Sequence, residues 1–349
     1  MKELHRALLA WYDREKRDLP WRRRPEPYRV WLSEIMLQQT RVEAVLPYFE
    51  RFLSNFPRVA DLANAELDTV TNLWAGLGYY SRARNLHAAA KQVSEEHGGE
   101  FPRDWEKLRA LKGVGDYTAS AIASIAFGQP YCALDGNLER VFARLLALRT
   151  DPKSKAGRAE LLEFGSKLVA LGRAGEVNQA VMDLSSMVCK PKNPLCEECP
   201  LSKHCEARKR GVQASLPVKK PKAEKVLLDA SAWAIVHDDN LLIARRSPGS
   251  WLAGMWDLPW RVEKGRTERA VPRFGTELAR ATVSRTITKH KIAFEVQGLR
   301  CDTLPSARDL GTLCAEADEY RWVPLSDLHG VHLPRPSERA LEKILPELN

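Results

Sequence analysis

The sequence contains no run of about 18 consecutive apolar residues, which a helix needs in order to cross a membrane. Residues 1–20 also lack the apolar core of a secretory signal peptide and instead have the pattern of an amphipathic helix. No internal repeat is present. These absences argue against a membrane protein, and we expect a cytoplasmic protein without a targeting segment.

Cysteine is scarce and unevenly placed. Four of the seven cysteines lie close together, at Cys189, Cys196, Cys199 and Cys205. Such clustering indicates metal or cluster ligation rather than disulfides. The loop over residues 189–205 contains a single CxxC pair, whereas zinc ribbons usually combine two. From the residues alone, four thiolates can ligate either a [4Fe–4S] cluster or a structural Zn²⁺.

Basic residues outnumber acidic ones, 54 to 45, which gives a net charge of +9 and an isoelectric point near 9.2. An excess of this sign favours polyanionic partners, such as nucleic acid or an anionic membrane surface. The charge therefore indicates a class of partner without identifying it.

A length of 349 residues allows two domains. Residues 1 to about 188 have helical periodicity interrupted by Gly and Pro, and with the cysteine loop they form a first domain over 1–210. Residues 211–228 are rich in Pro, Lys and small residues, as in a linker. Residues 229–349 change character, because 230–246 predict two strands around an Asp-Asp-Asn turn and 285–296 predict a further β segment. We predict a mostly α N-terminal domain followed by an α+β C-terminal domain.

Two carboxylates have surroundings that suggest chemistry. Glu34 lies in an apolar helical segment, where burial would raise its pKa until it carries a proton near neutrality. The alternative is a glutamate that reaches solvent or pairs with an arginine. Asp135 precedes a helix, so it is an N-cap, with or without a second role as a charged group in a site.

A glycine-rich turn precedes the helix that starts near Asp116. Gly113 and Gly115 would let backbone N–H groups approach a phosphate at this helix N-terminus without a clash from a Cβ atom. Many helix–helix corners contain a similar turn, so this pattern alone does not identify a DNA-binding site.

These segments together resemble the MutY family of adenine DNA glycosylases, within the endonuclease III superfamily of helix-hairpin-helix proteins. The resemblance is carried by WLSEIMLQQTRV at 31–42, LKGVGDYTA at 111–119, LDGN at 134–137 and the 6-2-5 spacing of the four cysteines. It implies a helix-hairpin-helix glycosylase domain with an iron–sulfur loop, and it favours a [4Fe–4S] cluster over zinc as the cofactor.

The resemblance also implies a role for each candidate catalytic residue. Glu34 matches the general acid–base, Asp135 matches the carboxylate that stabilises the sugar cation, and Asn137 matches a residue that helps to position it. Bifunctional relatives have a lysine where this chain has Tyr117, and the amine of that lysine attacks the sugar. Tyrosine here predicts base removal without efficient strand cleavage, the other interpretation being that Tyr117 only packs.

Other positions match the residues that extrude and receive the base. Gln39 and Tyr79 lie at the intercalating positions of the family, and we call these two the wedge residues. Trp21, Arg22 and Gln179 match positions near the flipped base.

The second domain resembles the Nudix-like domain of MutY proteins, chiefly over residues 241–260. Residues 265–286 lack the glutamate-rich Mg²⁺-binding helix of a Nudix hydrolase, which predicts a binding module. In an ungapped register, Thr288 and Lys289 fall on the 8-oxoguanine-reading turn of the family. His290 takes the place of the family histidine in an alternative register.

The function implied is removal of adenine paired with 8-oxoguanine or guanine, by a monomer that acts on double-stranded DNA in base excision repair. We expect no membrane association, and a nucleoid location if the organism is bacterial. A competing interpretation is an endonuclease III-like glycosylase/lyase for oxidised pyrimidines, which Tyr117 opposes. Another is a non-catalytic, redox-sensing DNA-binding protein, which would need neither Glu34 nor Asp135.

Overall fold

The chain divides into two units in the computed structural model, Met1–Lys220 and Pro221–Asn349. The structure describes residues 1–218, 224–263, 274–331 and 333–348. Residues 219–223 of the predicted linker and residues 265–273 of the predicted metal-free Nudix segment lie outside this description. Among the described residues, no helix has the length and apolar character required to cross a membrane.

The first unit is helical. Its helices are α1 (Lys2–Glu15), α2 (Pro20–Arg23), α3 (Pro27–Leu37), α4 (Val42–Asn55), α5 (Val59–Ala63), α6 (Leu67–Leu73), α7 (Ser81–Glu96), α8 (Trp105–Ala110), α9 (Asp116–Ile125), α10 (Gly136–Leu145), α11 (Lys155–Val169), α12 (Ala174–Met187) and α13 (Glu206–Lys209).

Helix α3 lies at the centre of this unit. It starts with Pro27, whose fixed φ suits the first turn of a helix. Nearly its whole length is buried, as expected for a helix that is apolar on all sides. It packs against α4, α7 and α9. Any polar side chain along α3 is therefore held in an apolar environment.

A glycine allows α12 to approach the end of α9 closely. A Cβ atom at Gly175 would lie 2.6 Å from the backbone oxygen of Ser124, which real Cβ atoms do not tolerate. Trp21 and Arg22 lie on α2, whereas helices α3, α9, α10 and α12 carry the candidate residues Glu34, Tyr117, Asn137 and Gln179. Their close packing brings those residues to one region.

The second unit contains a seven-stranded sheet with helices α14 (Ala307–Leu313) and α15 (Arg335–Leu348). Its strands are β1 (Val226–His237), β2 (Asn240–Arg246), β3 (Trp256–Asp257), β4 (Trp260–Val262), β5 (Thr276–Ile287), β6 (His290–Arg300) and β7 (Ala317–Pro324). The order is β3-β2-β1-β6-β5, with β4 pairing β1 and β7 pairing β2. Strands β1 and β6 are parallel, and the other pairs are antiparallel.

The predicted fold class, a mostly α domain followed by an α+β domain, is confirmed. Two local features differ from expectation. The β segment predicted over 285–296 is a hairpin, because Ile287 pairs with His290 and the chain turns between them. The sequence Thr288-Lys289 lacks the Asn-Gly signal typical of such a turn.

Secondary structure is present in both described parts of the segment assigned to a linker, 211–228. Gln213–Ser215 forms a 3₁₀ turn, and Leu216 is buried against the first unit. The Leu216 carbonyl also accepts a hydrogen bond from Arg144 Nε at 3.1 Å. At the other end, β1 already begins at Val226. Residues 211–218 therefore belong structurally to the first unit.

Candidate active site

Glu34 is a buried carboxyl group in the middle of α3, with 5% of its surface exposed. Its Oε2 accepts a hydrogen bond of 2.6 Å from the hydroxyl of Tyr117 on α9. Burial raises the pKa of Glu34 from 4.5 to about 7, opposed by the Tyr117 hydrogen bond and by the positive charge of Arg22, and assisted by the negative charge of Asp135. The environment thus makes Glu34 a group that gives or takes a proton at neutral pH.

Tyr117 stands in direct contact with Glu34, which distinguishes it from a residue that only packs. Burial and the neighbouring carboxylates Glu34 and Asp135 raise the pKa of Tyr117 well above its usual value. The phenol therefore keeps its proton and donates it in the hydrogen bond to Glu34. A lysine amine, which would attack a sugar, is absent from this position.

Asp135 is the N-cap of α10, as its place in the sequence suggested. Its Oδ1 accepts hydrogen bonds from the backbone amides of Asn137 at 2.9 Å and Leu138 at 2.8 Å. The Asn137 side-chain amide donates to Oδ2 at 2.9 Å. Burial raises the pKa of Asp135, while these hydrogen bonds act in the opposite direction. The negative charge of Asp135 also raises the pKa of Glu34 and of Tyr117. The same carboxylate therefore caps α10 and belongs to the candidate site.

A chain of polar contacts connects Asp135 to the cysteine loop. Asn137 Oδ1 accepts hydrogen bonds of 3.3 Å from both terminal nitrogens of Arg140. Arg140 Nε donates to the backbone oxygen of Cys189 at 2.9 Å. Arg144, one turn further along α10, donates to the Cys189 sulfur at 3.3 Å. The loop is therefore fixed to the helix that carries Asp135 at its start.

The four clustered cysteines line one small cavity together with apolar side chains of the same loop. Among the described residues, no three His, Cys, Asp or Glu side chains converge closely enough to hold a single metal ion. Four thiolates around one shared cavity are the donors that a [4Fe–4S] cluster requires. The donor set Cys189, Cys196, Cys199 and Cys205 fits a [4Fe–4S] cluster.

A cavity of about 810 Å³ is lined by Arg22 and Gln179, two of the residues predicted to lie near a flipped base. Trp21 lies instead in the apolar core, with its ring edge-on to Phe49 at 5.1 Å. Arg22 is within electrostatic range of Glu34. The structure thus brings Arg22 and Gln179 to one cavity but leaves the role of Trp21 as a prediction.

Sequence reasoning missed Asp183, the carboxylate that binds two arginines lining this cavity. Asp183 is fully buried and accepts hydrogen bonds from Arg22 at 2.6 and 3.0 Å and from Arg17 Nε at 2.6 Å. Two cationic side chains sharing one buried anion form a charge-assisted network. Its sequence signal was the spacing of four residues from Gln179, which places both on one face of α12.

The wedge residues and the glycine turn have unusual backbone conformations. Gln39 and Tyr79 have φ values of 57° and 50°, a left-handed conformation that is uncommon for residues other than glycine. Gly113 has φ of 76°, and a Cβ atom there would lie 2.8 Å from Asn85 Cβ, so only glycine fits. Gly115 is the N-cap of α9. Helix α9 therefore begins directly after this turn.

In the second unit, the predicted lesion-reading residues form the tip of the β5–β6 hairpin. Thr288 has φ of 52°, a strained conformation for a β-branched residue, and strain of this kind often marks a functional position. The Lys289 backbone oxygen accepts a hydrogen bond from the Val226 amide at 3.0 Å. The ring of His290 lies 4.9 Å from that of Trp251, and its Nδ1 is buried without a hydrogen-bond partner.

Family comparisons divide the chain in the same way. Residues 32–167 match the HhH-GPD superfamily of base excision DNA repair proteins, residues 189–205 match the iron-sulfur binding domain of endonuclease III, and residues 231–343 match the NUDIX domain. The predicted iron–sulfur cofactor and the Nudix-like character of the second domain are confirmed by these matches. Residues 276–286, part of the segment that lacks the Nudix metal-binding motif, lie in strand β5.

Curated relatives include the adenine DNA glycosylase of Buchnera aphidicola subsp. Baizongia pistaciae, 34% identical over 97% of this chain and 96% of the relative. The human adenine DNA glycosylase is 49% identical over 60% of this chain. The chain spans about two fifths of the length of the human, rat and mouse relatives it matches.

Solved structures with a similar fold include a thermostable thymine-DNA glycosylase, with a TM-score of 0.56 and 28% identity over 60% of this chain and 98% of the other. A trapped endonuclease III–DNA covalent intermediate has a TM-score of 0.52 at 23% identity, over 60% of this chain and 96% of the other. The second likeness concerns the fold alone.

The raised pKa of Glu34 predicts a pH-dependent cost in stability. Because the folded state binds this proton more tightly than the unfolded chain, stability conferred by the protonated form is lost as pH rises from about 4.5 to about 7. At about 1.4 kcal/mol per pKa unit, the loss is on the order of 3 kcal/mol. Glu34→Gln cannot titrate, so its stability relative to wild type should be greater at pH 8 than at pH 5 by about that amount.

Urea unfolding followed by the far-ultraviolet helical signal measures this difference. Glu160→Gln, at an exposed position of α11, is the matched control for the loss of a glutamate side chain. A wild-type-minus-variant difference that is the same at both pH values would contradict the assignment of a raised pKa to Glu34.

Proposed function

The chain belongs to the adenine DNA glycosylase family, and we propose that it removes adenine from mispaired double-stranded DNA by hydrolysing the N-glycosidic bond. The observation that carries the proposal is the buried Glu34 carboxyl, hydrogen-bonded to Tyr117 and close enough to Asp135 for their charges to interact. A protein that only binds DNA has no need of this costly arrangement.

Adenine is a poor leaving group as an anion, so its departure requires a proton. Glu34, with a pKa of about 7, supplies a general acid at neutral pH. Tyr117 orients the carboxyl through its hydrogen bond to Oε2. The base then leaves neutral, and the carboxylate produced can accept a proton from the attacking water.

Loss of the base leaves positive charge on the sugar. Asp135 carries the negative charge that stabilises it, and the two backbone amides and the Asn137 amide hold the carboxylate in place. This division between a proton donor and a charge-stabilising carboxylate is the one that glycoside hydrolases use.

The base reaches these groups only after extrusion from the helical stack. Gln39 and Tyr79 fill the gap, and the turn at Gly113 and Gly115 binds backbone phosphate at the N-terminus of α9. Arg22 and Gln179, which line a common cavity, contact the extruded base. Trp21 supports this region from the core.

Tyr117 also limits the reaction to base removal. It offers no amine for a Schiff base with the sugar, and its hydroxyl is engaged with Glu34. When bound, the [4Fe–4S] cluster supplies four iron–thiolate bonds that cross-link the loop. This chain's own contribution is Arg140 and Arg144, which anchor that loop to α10.

For the second domain we propose recognition of 8-oxoguanine, in preference to guanine, opposite the adenine. The hairpin tip presents the exposed Thr288 hydroxyl, which can accept the N7–H that distinguishes the lesion. The proposal includes a monomer acting in the cytoplasm, at the nucleoid if the organism is bacterial.

Removal of the Glu34 proton donor should abolish excision. Glu34→Gln should lower the single-turnover rate by at least about a hundredfold while affinity for mispaired DNA is kept, because general acid catalysis contributes 10²–10⁴-fold. The wild-type rate should fall as pH rises through about 7. Tyr117→Phe removes a hydrogen bond that lowers the Glu34 pKa, so this descending limb should move to higher pH. A Glu34→Gln rate close to that of the Glu160→Gln control would rule out the mechanism.

Lesion preference should depend on Thr288. Loss of one hydrogen bond is worth about 0.5–1.5 kcal/mol, so Thr288→Ala should reduce the preference for 8-oxoguanine:adenine over guanine:adenine roughly three- to tenfold. The matched control is Thr282→Ala, at an exposed position of strand β5, which leads into the hairpin tip. Single-turnover excision on the two duplexes measures the ratio. If the preference responds to His290→Ala and not to Thr288→Ala, the alternative register is the correct one.

A further inference from the structure

One buried arginine lies between the two wedge residues. Arg82, in the first turn of α7, has 7% of its surface exposed although it carries a permanent charge. Burial of a charge is unfavourable unless several partners compensate it. The hydrogen-bond partners of Arg82 therefore identify the segments that this residue holds in place.

One terminal nitrogen of Arg82 binds the end of the catalytic helix. Nη1 donates to the backbone oxygens of Ile35 at 3.1 Å, Met36 at 2.8 Å and Gln38 at 2.7 Å. The last carbonyls of a helix have no partner within it, and a cation there also interacts favourably with the helix dipole. Gln39, the first wedge residue, follows directly.

The other terminal nitrogen binds the loop that carries the second wedge residue. Nη2 donates to the backbone oxygens of Leu77 at 3.0 Å and Gly78 at 3.1 Å, directly before Tyr79. It also donates to Thr40 Oγ1 at 3.2 Å, on the far side of Gln39. A single planar guanidinium therefore connects both wedge segments.

The wedge residues need such support. Both have left-handed backbone conformations without being glycine, and such conformations persist only where the surroundings enforce them. Both are also exposed, Tyr79 to 59%, so packing of their own side chains does not enforce them. The guanidinium lies 5.6 Å from the Tyr79 ring centroid and 5.2 Å from that of Trp74, which adds attraction to the aromatic faces.

We propose that Arg82 is a positioning residue that holds Gln39 and Tyr79 together as a preformed wedge, so that the free protein is already shaped to enter the DNA stack. The inference rests on the proposed function, since it assigns the device that extrudes the base. Only the fork of an arginine reaches both segments, because lysine offers one nitrogen where arginine offers two diverging ones. Arg82→Lys keeps the charge and removes the connection.

The test compares full-length wild type, Arg82→Lys and the milder Thr40→Val, which removes one acceptor. The control is Arg103→Lys, since Arg103 lies over the Phe127 ring and is exposed. Base flipping is measured on mispaired duplexes that carry 2-aminopurine, whose fluorescence rises on unstacking, in place of the target adenine. Single-turnover excision is measured across pH on the same mispaired duplexes with adenine at the target position.

We expect Arg82→Lys to lose most of the fluorescence rise and at least tenfold in excision rate, Thr40→Val to lose less, and the descending pH limb to stay in place in both. Normal flipping and excision in Arg82→Lys would overturn the proposal. So would slow excision with normal flipping or with a shifted pH limb, since Arg82 would then act on Glu34 through α3. If wild type itself neither unstacks nor excises adenine, the proposed function fails instead.

A circular-dichroism spectrum establishes that each variant is folded. Should Arg82→Lys be unfolded, the graded loss of flipping in Thr40→Val, against unchanged flipping in Arg103→Lys, decides the question. Flipping by Thr40→Val equal to that of wild type would then count against the proposal.

Discussion

The hydrogen bond between Tyr117 and the buried Glu34 carboxyl is the interaction on which the rest of the site depends. A carboxyl group in an apolar helix is unfavourable for the fold, and a hydroxyl donor is the partner that satisfies it without neutralising it through a fixed positive charge. An arginine paired directly with Glu34 would hold its pKa low and leave no proton to donate. The packing of α3 against α9 sets this choice of partner.

Buried and partly buried arginines connect the elements around this pair. Arg82 connects the two wedge segments, Arg144 connects α10 to the cysteine loop, and Arg22 shares Asp183 with Arg17. Each guanidinium binds backbone oxygens or one carboxylate from another part of the chain, so each fixes the relative position of segments that sequence separates. Some of the positive charges that contribute to the net charge of +9 therefore stabilise the site, in addition to those at the surface that favour DNA binding.

The sequence predicted the burial of Glu34 and the clustering of the four cysteines, but not the long-range contacts of the site. Glu34 stood out because its neighbours one turn away are mostly apolar, and the cysteine loop because its spacing is specific. Nothing local shows that the hydroxyl of Tyr117 reaches a carboxyl 83 residues away, or that Asp183 would be shared by two arginines. The role of Arg82 could not be predicted from the sequence for the same reason, because its partners are mainly backbone oxygens, which every residue has. The β5–β6 turn was missed because Thr288-Lys289 forms it without the residues that usually mark one.

The protonation of Glu34 can be observed directly by a ¹³C NMR titration of protein labelled at the glutamate side-chain carboxyl, with Glu34→Gln used to assign the signal. The account predicts that the Glu34 resonance titrates near pH 7. A Glu34 signal that titrates near the ordinary value of 4.5 would show that this carboxyl is ionised at neutral pH, and the acid assigned to adenine departure would have to be another group.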